Sequence, residues 1–541
     1  MNNSHAAQVI EQTKESYDEV WYVGYPFQQT HPDRLASLAT LFGMQPAPVT
    51  KCRVLEIGCG DGANLLAMAY GLPESEFIGI DLAPKPLEYG NALAAELGLK
   101  NLDLRACDIM EIDASWGEFD YIIAHGFYSW VPEFVRKQLM LLCESLLAPQ
   151  GVAYISYNAY PGNRVHQMMR EMMTFHTRGI SDPQVMVEQG VGLLQFINSK
   201  FTGNEQGEEA IYPLLLKREI DRLMSYRASQ IYHDDFAPSN TSFYFYQFMD
   251  EANQHGLQYL AEADFFEMQD FIYPQPIREF LSQFDDEQIV IKEQYMDFLK
   301  CRQFRQTLLC RKTVELQREI QPQRIRGFYF SSPAKPVSAK LNLNEGEVEE
   351  FRGSKKSVLS TDYPLAKAAL LYLGSIYPRS VGWDELVLTA RRLLNSAGVH
   401  QLPDNNFFEE ANTLAQIILA ACGSGLVEFH IHQPNFVSEV SKYPAASRLA
   451  RAQANRGSVV SSLTHKNVEQ EDPIGQKLVQ LLDGTRDLQQ LADELVAFVL
   501  SESTIKKPDG STPTEPEIRQ IIQGGLATNL QKLARVALLE A

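Results

Sequence analysis

The stretch that decides the fold is RVLEIGCGDGANLL, residues 53–66. An apolar, β-branched run leads into Gly58, Gly60 and Gly62, and an apolar helical pattern follows the glycines. Strand, glycine turn and helix in this order indicate the start of a doubly wound α/β sheet, which binds its ligand at the carboxyl ends of the strands. Glycine lets the backbone turn sharply and come close to the ligand. The N–H groups at the start of the helix favour an anionic group.

The spacing of the glycines differs from that of a dinucleotide-binding loop. The dinucleotide fingerprint is G-x-G-x-x-G, whereas this chain has G-x-G-x-G, with Glu56 two residues before the first glycine. The next predicted strand, EFIGID, ends at Asp81, where a carboxylate can accept hydrogen bonds from the ribose hydroxyls of either NAD or S-adenosylmethionine. The third strand, LDLRACDI, is expected to end at Asp108. An acid there can accept from an adenine amino group while Ile109 packs on the ring.

Two more parallel strands complete the first part of the sheet. They are FDYIIAHG, which leads to His125 and Gly126, and GVAYISYNAY, which follows a predicted turn at LAPQG. The ordered set EIGCGDG, GID, CDI and FDYIIAHG resembles the class I S-adenosylmethionine-dependent methyltransferases. The resemblance implies a seven-stranded Rossmann-like sheet. It also implies S-adenosyl-L-methionine as the cofactor and S-adenosyl-L-homocysteine as the product.

The same resemblance places a set of residues at the cofactor. Asp81 would bind the ribose and Asp108 the adenine, while the glycines would face the methionine and ribose. Glu56 would position the methionine end through its ammonium group, and His125 with Gly126 would border the face from which the methyl group leaves. The full set is Glu56, Gly58, Cys59, Gly60, Asp61, Gly62, Asp81, Leu82, Asp108, Ile109, His125 and Gly126.

The pattern of the sheet is interrupted after the fifth strand. Three helical patterns, NRVHQMMREMMTFHTRG, VMVEQGVGLLQFINSKF and YPLLLKREIDRLMSYRASQIYH, stand where a helix and an antiparallel hairpin would follow. The missing parts come later, as the helix SFYFYQFMDEANQHG and the strands LQYLAEADF and FRQTLLCRK. We therefore expect a discontinuous catalytic domain, residues 51–161 and 237–318. The helices inserted at 162–236 would form a lid or a dimer contact.

An aromatic segment, YDEVWYVGYPFQQTHPDRLASLATLFGM, precedes the first strand. We expect residues 1–50 to form a cap over the cofactor, and we expect FYSWVP and SYNAYPG to converge on the same aromatic pocket. This segment and the run YHDDFAPSNTSFYFYQFMDEANQHGLQYLAEADF are similar to bacterial methyltransferases with a methyltransferase regulatory domain. That group includes lysine methyltransferases that modify outer-membrane proteins, so the resemblance implies a lysine-bearing protein as substrate.

The C-terminal part is predicted to be mainly helical. A connecting region at 319–360, with two strands, leads to the helical patterns PLAKAALLYLGSIYP, WDELVLTARRLLNS and FFEEANTLAQIILAACGSG and to the strand LVEFHIH. Three helices and a hairpin edge predict a winged-helix-like module at 361–435, followed by a helical module at 436–541. The third helix carries Glu409 and Glu410 but no Lys or Arg. A protein-interaction module is therefore expected, and not one that reads DNA.

His430 and His432 are two residues apart in the predicted strand LVEFHIH, so both side chains would lie on one face of it, as two metal ligands could. The sequence offers no evident third ligand, so we expect two exposed strand histidines and no metal site.

Charge and composition bound the class of protein. The chain has 541 residues, enough for about two to four domains. Its net charge of −20 argues against nonspecific nucleic-acid binding and suits a positively charged partner. The seven cysteines form no C-x-x-C pair, which indicates neither a disulfide framework nor a zinc site. Because no apolar signal core or membrane-spanning run is evident, we expect a cytoplasmic protein without membrane contact. The sequence leaves open whether the protein forms a homodimer.

The predicted reaction is the attack of a nucleophile on the methyl carbon of the sulfonium. Because the sulfonium is already activated, positioning and desolvation supply much of the rate and no metal is needed. A lysine amine must first lose its proton, and a dry aromatic pocket lowers the amine pKa. Tyr25, Tyr128 and Tyr160 are the candidate pocket residues, and His31 is the candidate proton acceptor.

Other acceptors stay open. The sequence AHGFYSW stands where an N-P-P-Y motif would orient a planar nitrogen, which counts against methylation of glutamine or DNA adenine. A small-molecule acceptor remains an alternative, as does a cofactor-binding interaction or sensor protein without turnover.

Overall fold

A computed structural model gives the fold of the chain. It describes residues 14–20, 22, 24–201, 203, 206–354, 357–399, 407–470, 472–502 and 513–541. Residues 1–13 of the expected N-terminal cap, and Trp21 in its aromatic segment, lie outside the described residues.

One seven-stranded sheet forms the centre of the catalytic part. Its strands are β1 (Arg53–Ile57), β2 (Glu76–Asp81), β3 (Leu102–Ala106), β4 (Phe119–Ala124), β5 (Leu147–Asn158), β6 (Leu257–Glu262) and β7 (Phe304–Arg311). Their spatial order is β3-β2-β1-β4-β5-β7-β6, and β7 runs antiparallel to β5 and β6. The strand order reverses beside β1, so the crevice for a ligand lies at the carboxyl ends of the strands next to it. The α/β fold expected from the sequence is confirmed.

Helices cover the two faces of this sheet and build the rest of the described chain. They are α1 (Pro32–Leu41), α2 (Ala63–Gly71), α3 (Pro84–Leu97), α4 (Glu133–Leu146), α5 (Asn163–His176), α6 (Pro183–Asn198), α7 (Ile211–Met224), α8 (Ala228–Asp235), α9 (Phe245–Gln254), α10 (Gln275–Leu281), α11 (Ile289–Lys300), α12 (Pro364–Ile376), α13 (Trp383–Ser396), α14 (Phe407–Gly423), α15 (Arg448–Ala454), α16 (Pro473–Leu481), α17 (Leu488–Glu502) and α18 (Glu515–Arg535).

Successive residues of the strands pack on opposite faces of the sheet, as the period of a strand requires. Val54 and Tyr121 belong to one hydrophobic core, and their chain neighbours Leu55 and Ile122 belong to the other. All four side chains are completely buried. Both faces of the sheet are therefore covered, which explains why β1 and β4 are apolar runs without alternation.

Two strand boundaries differ from the prediction. Strand β3 ends at Ala106, because the Asp108 carboxylate accepts a hydrogen bond from the N–H of Met110 and starts a 3-10 turn. Strand β5 begins at Leu147, so the residues LAPQG belong to the strand and do not form a separate turn. The pairing of β4 with β5 shifts register at this point, which accommodates the additional residues.

The insertion after β5 contains more helices than the three expected. The described residues between β5 and α9 form α5, α6, α7 and α8, because the third predicted helix breaks between Met224 and Ala228. The Ser225 hydroxyl donates to the Arg222 carbonyl oxygen, and the Gln230 side chain accepts from the N–H of Arg227. These two local bonds end one helix and begin the next.

The connecting region holds four short strands, two more than expected. These are β8 (Tyr329–Ser331), β9 (Lys335–Pro336), β10 (Glu349–Arg352) and β11 (Val358–Thr361). β8 pairs with β12 (Val381–Gly382) and β13 (Glu428–His430). The helices α12, α13 and α14 are therefore accompanied by a small three-stranded sheet whose first strand, β8, precedes them in the chain. A hairpin of β14 (Val459–Ser461) and β15 (Asn467–Glu469) follows α15. Residue boundaries between domains remain predictions.

The expectation that His430 is an exposed strand residue is wrong. Its side chain is half-buried, with Nδ1 2.7 Å from Asp33 Oδ2 and Nε2 3.1 Å from Ser331 Oγ. His432 is also half-buried. Within the described ranges, no group of three or more His, Cys, Asp and Glu residues could hold a metal ion. None of the described helices combines the length and apolar character that crossing a membrane requires.

A buried ion network fixes the far edge of the sheet. Arg305, in β7, is completely buried. Its guanidinium donates to Asp297 Oδ2 at 2.8 Å, to Glu262 Oε1 at 2.6 Å and to Glu293 Oε2 at 3.0 Å. One cation thus joins β7 to β6 and α11. Phe304, next to it in the chain, is among the residues that line the cavity described below.

We expect Arg305→Met to destabilise the protein strongly, because Glu293 would lose the cation it pairs with and Asp297 and Glu262 would keep only Arg302. The expected loss is about 3–5 kcal/mol in the free energy of unfolding, measured by chemical denaturation at pH 7. Arg105→Met is the matched control: Arg105 is also a strand arginine, but its pair with Asp103 is exposed. The control should change the free energy by less than about 1 kcal/mol. Equal effects of the two substitutions would contradict the structural role of the network.

Candidate active site

A cavity of about 570 Å³ opens at the carboxyl ends of the central strands. Three parts of the chain form its wall. The strand ends and following loops contribute Glu56, Ile57, Gly58, Cys59, Gly60, Asp81, Leu82, Asp108, Ile109, His125, Gly126, Phe127 and Asn158. The N-terminal segment contributes Lys14, Tyr17, Tyr22, Gly24, Tyr25 and Phe27. The inserted helices contribute Asn163, His166, Glu219, Arg222, Tyr226, Gln230 and Asp234.

Close packing explains two glycines of the loop after β1. Gly58 has a φ of +72°, and a Cβ there would lie 2.7 Å from Phe127 Cδ2. Gly62 has a φ of +73° at the start of α2, and a Cβ there would lie 2.5 Å from Leu104 Cδ1. Both positions therefore require glycine for backbone conformation and for space. Glycine at these two positions lets the loop pack directly against Phe127 and Leu104.

Asp81 closes the loop from the end of β2. Its Oδ2 accepts from the N–H of Gly60 at 2.9 Å and its Oδ1 accepts from the N–H of Ala83 at 3.0 Å. Burial raises the pKa of this carboxyl to about 6, so it is mainly ionised at pH 7. Each oxygen keeps acceptor capacity for a ribose hydroxyl.

Asp108 and Ile109 form the next part of the wall, beyond β3. The Asp108 carboxylate caps a 3-10 turn through the N–H of Met110, and the residue is half-buried. Ile109 is buried. An acceptor beside an apolar side chain suits a flat ring that carries an amino group, as the sequence predicted for adenine.

Glu56 presents an unpaired oxygen in this cavity. Its Oε1 accepts from Asn64 Nδ2 at 2.8 Å, whereas its Oε2 is buried and has no hydrogen-bond partner within the described part of the chain. Burial raises the pKa of Glu56 to about 8. A buried carboxylate oxygen without a donor is costly unless a ligand supplies one. The ammonium group of a methionine moiety would do so, and the residues present therefore fit S-adenosylmethionine.

His125 stands at the end of β4, where the predicted methyl-donor face begins. Its ring centroid lies 3.9 Å from that of Phe27, and its Nδ1 lies 3.0 Å from the Tyr154 hydroxyl and 3.3 Å from Ser156 Oγ. Burial lowers the pKa of His125 to about 4, so the ring is neutral at pH 7. The next residue, Gly126, donates its N–H to Ser156 Oγ. This part of the wall is polar but uncharged.

The structure separates the four candidate catalytic residues. Tyr25 lines the cavity. His31 instead caps α1, accepts at Nδ1 from the N–H of Asp33, and lines a second, smaller cavity. Tyr128 is completely buried, and its hydroxyl donates to Glu251 at 2.5 Å.

Tyr160 is also turned away from the cavity. Its hydroxyl donates to Gln167 Oε1 at 2.9 Å, and the Arg164 guanidinium lies 4.0 Å from its ring centroid. Sequence position near a strand end does not fix the direction of a side chain, which is why Tyr128 and Tyr160 were misplaced.

Asp61 and Gly62 are not among the residues that line the cavity. The Asp61 carboxylate accepts from the N–H of Gly24 at 3.0 Å and from the N–H of Ala63. It therefore holds the N-terminal segment against the loop and faces away from the ligand space.

Several residues of the cavity were missed by the sequence analysis. Asn64 is a polar residue inside the apolar run ANLLAMAYG, and this break in the pattern was a usable signal. Asn158, Asn163 and Asp234 gave no comparable signal, because the inserted helices and the end of β5 meet only through the tertiary fold. The roles of all these site residues remain predictions.

Comparison with known families matches three parts of the chain. The family described as "Methyltransferase domain" matches residues 49–214, and "Predicted methyltransferase regulatory domain" matches residues 227–311. The family "PKMT, C-terminal winged helix domain" matches residues 442–538. This last match covers α15 to α18 with the β14–β15 hairpin, within the part expected to be a helical module, and not the helices at 361–435.

Rickettsial proteins resemble the chain over nearly its whole length. The uncharacterised protein RP789 of Rickettsia prowazekii is 31% identical over 534 residues, 97% of this chain and 93% of that protein. The structure of PKMT2 from Rickettsia typhi matches with a TM-score of 0.85 at 27% identity, over 96% of this chain and 100% of that one. PKMT2 in complex with AdoHcy matches with a TM-score of 0.84 at the same identity and coverage. S-adenosyl-L-methionine is the cofactor of this chain.

We expect cofactor binding at pH 7 to release about one proton, because Glu56 with a pKa of about 8 must ionise to pair with the ammonium. Asp81, with a pKa of about 6, is already ionised at this pH and contributes little. Titration calorimetry in buffers of different ionisation enthalpy measures the released proton. Glu56→Gln should bind the cofactor more weakly and release no proton. Proton release that persists in Glu56→Gln would show that another group ionises.

Proposed function

The chain belongs to the class I S-adenosylmethionine-dependent methyltransferases that carry a methyltransferase regulatory domain, and we propose that it methylates lysine side chains of a protein. The observation that carries this proposal is a carboxylate, Asp234 of α8, in the same cavity as the cofactor loop. A lysine arrives as a cation and must lose a proton before it can attack. The Asp234 carboxylate can pair with the lysine ammonium and can accept its proton.

Hydrogen bonds connect Asp234 to the end of the sheet. Asn158, the last residue of β5, donates from Nδ2 to Asn240 Oδ1 at 3.0 Å. Asn240 in turn donates from Nδ2 to the backbone oxygen of Asp234 at 2.8 Å. The backbone of Asp234 is thus held in a fixed relation to the end of β5, and its side chain lines the same cavity as His125 at the end of β4.

The charge of Asp234 is available to a substrate. Burial and the neighbouring charge of Asp235 together raise its pKa to about 7. Arg222 lowers it, but that guanidinium is engaged with Asp235 and Glu219. No hydrogen bond or ion pair to the Asp234 carboxylate occurs among the described residues. A carboxylate with a pKa near the working pH is suited to accept a proton.

Aromatic rings surround the same end of the cavity. Tyr17, Tyr22, Tyr25 and Tyr226 all line it. Aromatic faces attract ammonium groups and continue to do so when methyl groups are added. They also limit access of water, which lowers the pKa of an amine by disfavouring its charged form.

These residues support the following chemistry. A substrate ammonium pairs with Asp234, and one N–H proton passes to the carboxylate, which leaves a neutral amine held among the tyrosines. The bound cofactor supplies an electrophilic methyl group on a sulfonium and leaves as S-adenosylhomocysteine. The chain itself acts by orienting the amine, removing its charge and excluding water.

Two further observations support a protein as the acceptor. The net charge of −20 favours the approach of a lysine-rich, positively charged partner. The likeness to PKMT2 from Rickettsia typhi over 96% of this chain also supports protein lysine methylation. Both favour a protein over a small molecule.

The first test is transfer of labelled methyl from S-adenosylmethionine into a bacterial lysate, separated into protein and small-molecule fractions. We expect label in the protein fraction, located on lysine by mass spectrometry and lost in Asp81→Ala. Label that appears only in small molecules would overturn the proposal, as would label on a residue other than lysine.

The second arm of this test uses Asp234→Asn, which removes the proton acceptor but keeps the shape of the side chain. We expect turnover to fall by about 100-fold or more, with affinity for S-adenosylhomocysteine unchanged within about twofold. Wild-type activity should decline as the pH falls through about 7, because Asp234 is then protonated. Asp221→Asn is the matched control, since Asp221 pairs with Lys217 on the exposed side of α7. Full turnover in Asp234→Asn would exclude this carboxylate as the acceptor of the proton.

A further inference from the structure

We propose that the C-terminal domain completes the cofactor site, and that His465 is the positioning residue through which it does so. His465 lies in the turn between β14 and β15, within the part matched by the winged-helix family. Its side chain reaches Asn64, the residue that holds Glu56. This proposal concerns the cofactor end of the cavity and does not depend on the identity of the methyl acceptor.

The position of His465 is fixed by its own turn. Its N–H donates to the Ser462 backbone oxygen at 3.0 Å, and the Ser462 N–H donates to the Lys466 backbone oxygen at 2.8 Å. His465 adopts a φ of +58°, in the left-handed region that a residue other than glycine seldom enters. The side chain is 5% exposed. The turn therefore holds a strained residue with its ring directed into the protein.

The hydrogen bonds around Asn64 establish which atom of His465 carries the proton. The N–H of Phe27 donates to Asn64 Oδ1 at 2.9 Å, and a backbone N–H can only donate, so this atom is the oxygen. His465 Nε2 lies 2.8 Å from the same oxygen and must therefore be protonated. Asn64 Nδ2 then donates to Glu56 Oε1 and to Thr30 Oγ1. All four positions of the amide are used.

Two hydrogen bonds connect the turn to Glu56, the residue predicted to bind the methionine end of the cofactor. His465 and the Phe27 N–H fix the plane of the Asn64 amide, and the amide fixes one oxygen of Glu56. The other oxygen of Glu56 is left for the ligand. Loss of the His465 N–H would leave the buried amide oxygen with only the Phe27 N–H as a donor and would weaken the hold of the amide on Glu56.

A second set of contacts holds the C-terminal domain against the sheet helices. Leu449 and Ala452 of α15 share a hydrophobic core with Leu66 of α2 and Leu93 of α3. Asn467, in β15, donates to the backbone oxygen of Pro26 in the N-terminal segment at 3.3 Å. The hairpin is thus held against the segment that lines the cavity, and His465 is delivered by a packed interface.

The consequence is a coupling that works in both directions. If docking of the C-terminal domain orders Glu56 for the cofactor, cofactor binding must stabilise the docked domain by the same factor. A protein partner that binds the docked and the undocked domain with different affinities would then change the affinity for S-adenosylmethionine without touching the cofactor.

The test measures the dissociation constant of S-adenosylmethionine by calorimetry for a set of full-length variants. We expect His465→Ala to weaken binding by about tenfold. His465→Gln, whose amide can still donate a hydrogen bond, should remain within about threefold of wild type. Glu469→Ala is the control on the same hairpin, because Glu469 is exposed, and its affinity should not change.

A double-mutant cycle with Glu56→Gln separates positioning from general damage to the structure. If His465 acts through Asn64 and Glu56, His465→Ala should cost little more in the Glu56→Gln background. Full additivity would overturn the proposal, and so would unchanged affinity in His465→Ala. An unchanged affinity in Glu56→Gln would overturn it as well, by removing the assumed role of Glu56. Should His465→Ala fail to fold, the same cycle applies with His465→Phe, which keeps a ring but has no N–H to donate to Asn64. Hydrogen exchange of wild type provides the reciprocal readout: S-adenosylhomocysteine should slow exchange in residues 459–469, and no change there would contradict the coupling.

Discussion

The buried side-chain amide of Asn64 is the constraint on which the site depends. It accepts from the backbone of Phe27 and from His465, and it donates to Glu56 and Thr30. Three segments of the chain, residues 27–30, residues 56–64 and the turn that carries His465, therefore meet at one group. Because an unpaired buried donor or acceptor costs about 1–3 kcal/mol, the loss of one segment's hydrogen bond destabilises the arrangement of the other two. Asn64 follows the glycine loop directly, so the loop fixes the position of the amide. The amide in turn holds Phe27, Thr30 and Glu56.

One end of the cavity is formed by the central sheet, and the other is formed by the inserted helices and the N-terminal segment. The sheet supplies the cofactor groups, such as Asp81 at the end of β2, by rules that hold for any doubly wound fold. The inserted helices supply Asp234, and the N-terminal segment supplies aromatic rings. An insertion after β5 stands over the carboxyl ends of the strands, so it can change the acceptor without disturbing the cofactor. This division suits the protein substrate that we propose.

The sequence predicted the cofactor end of the site better than the acceptor end. The strands follow from patterns within a few residues, and the sheet they form is confirmed. Gly58, Gly60 and Asp81 line the cavity, and their roles at the cofactor stay predictions. Tyr128 and His31 were misjudged because their directions depend on packing and on helix capping, which no local pattern reveals. The contact of His465 with Asn64 joins residues 401 positions apart. The sequence offered only a polar residue in an apolar run as a sign of it.

The central claim is that one cavity holds the cofactor and a lysine ammonium together, with Asp234 at the acceptor end. An analogue of S-adenosylmethionine in which an aminoalkyl chain replaces the transferable methyl group occupies both ends at once. We predict that it binds about 100-fold more tightly than S-adenosylhomocysteine itself. This gain should disappear in Asp234→Asn while affinity for S-adenosylhomocysteine stays the same. An analogue that binds no more tightly than S-adenosylhomocysteine, or a gain that survives in Asp234→Asn, would contradict the account.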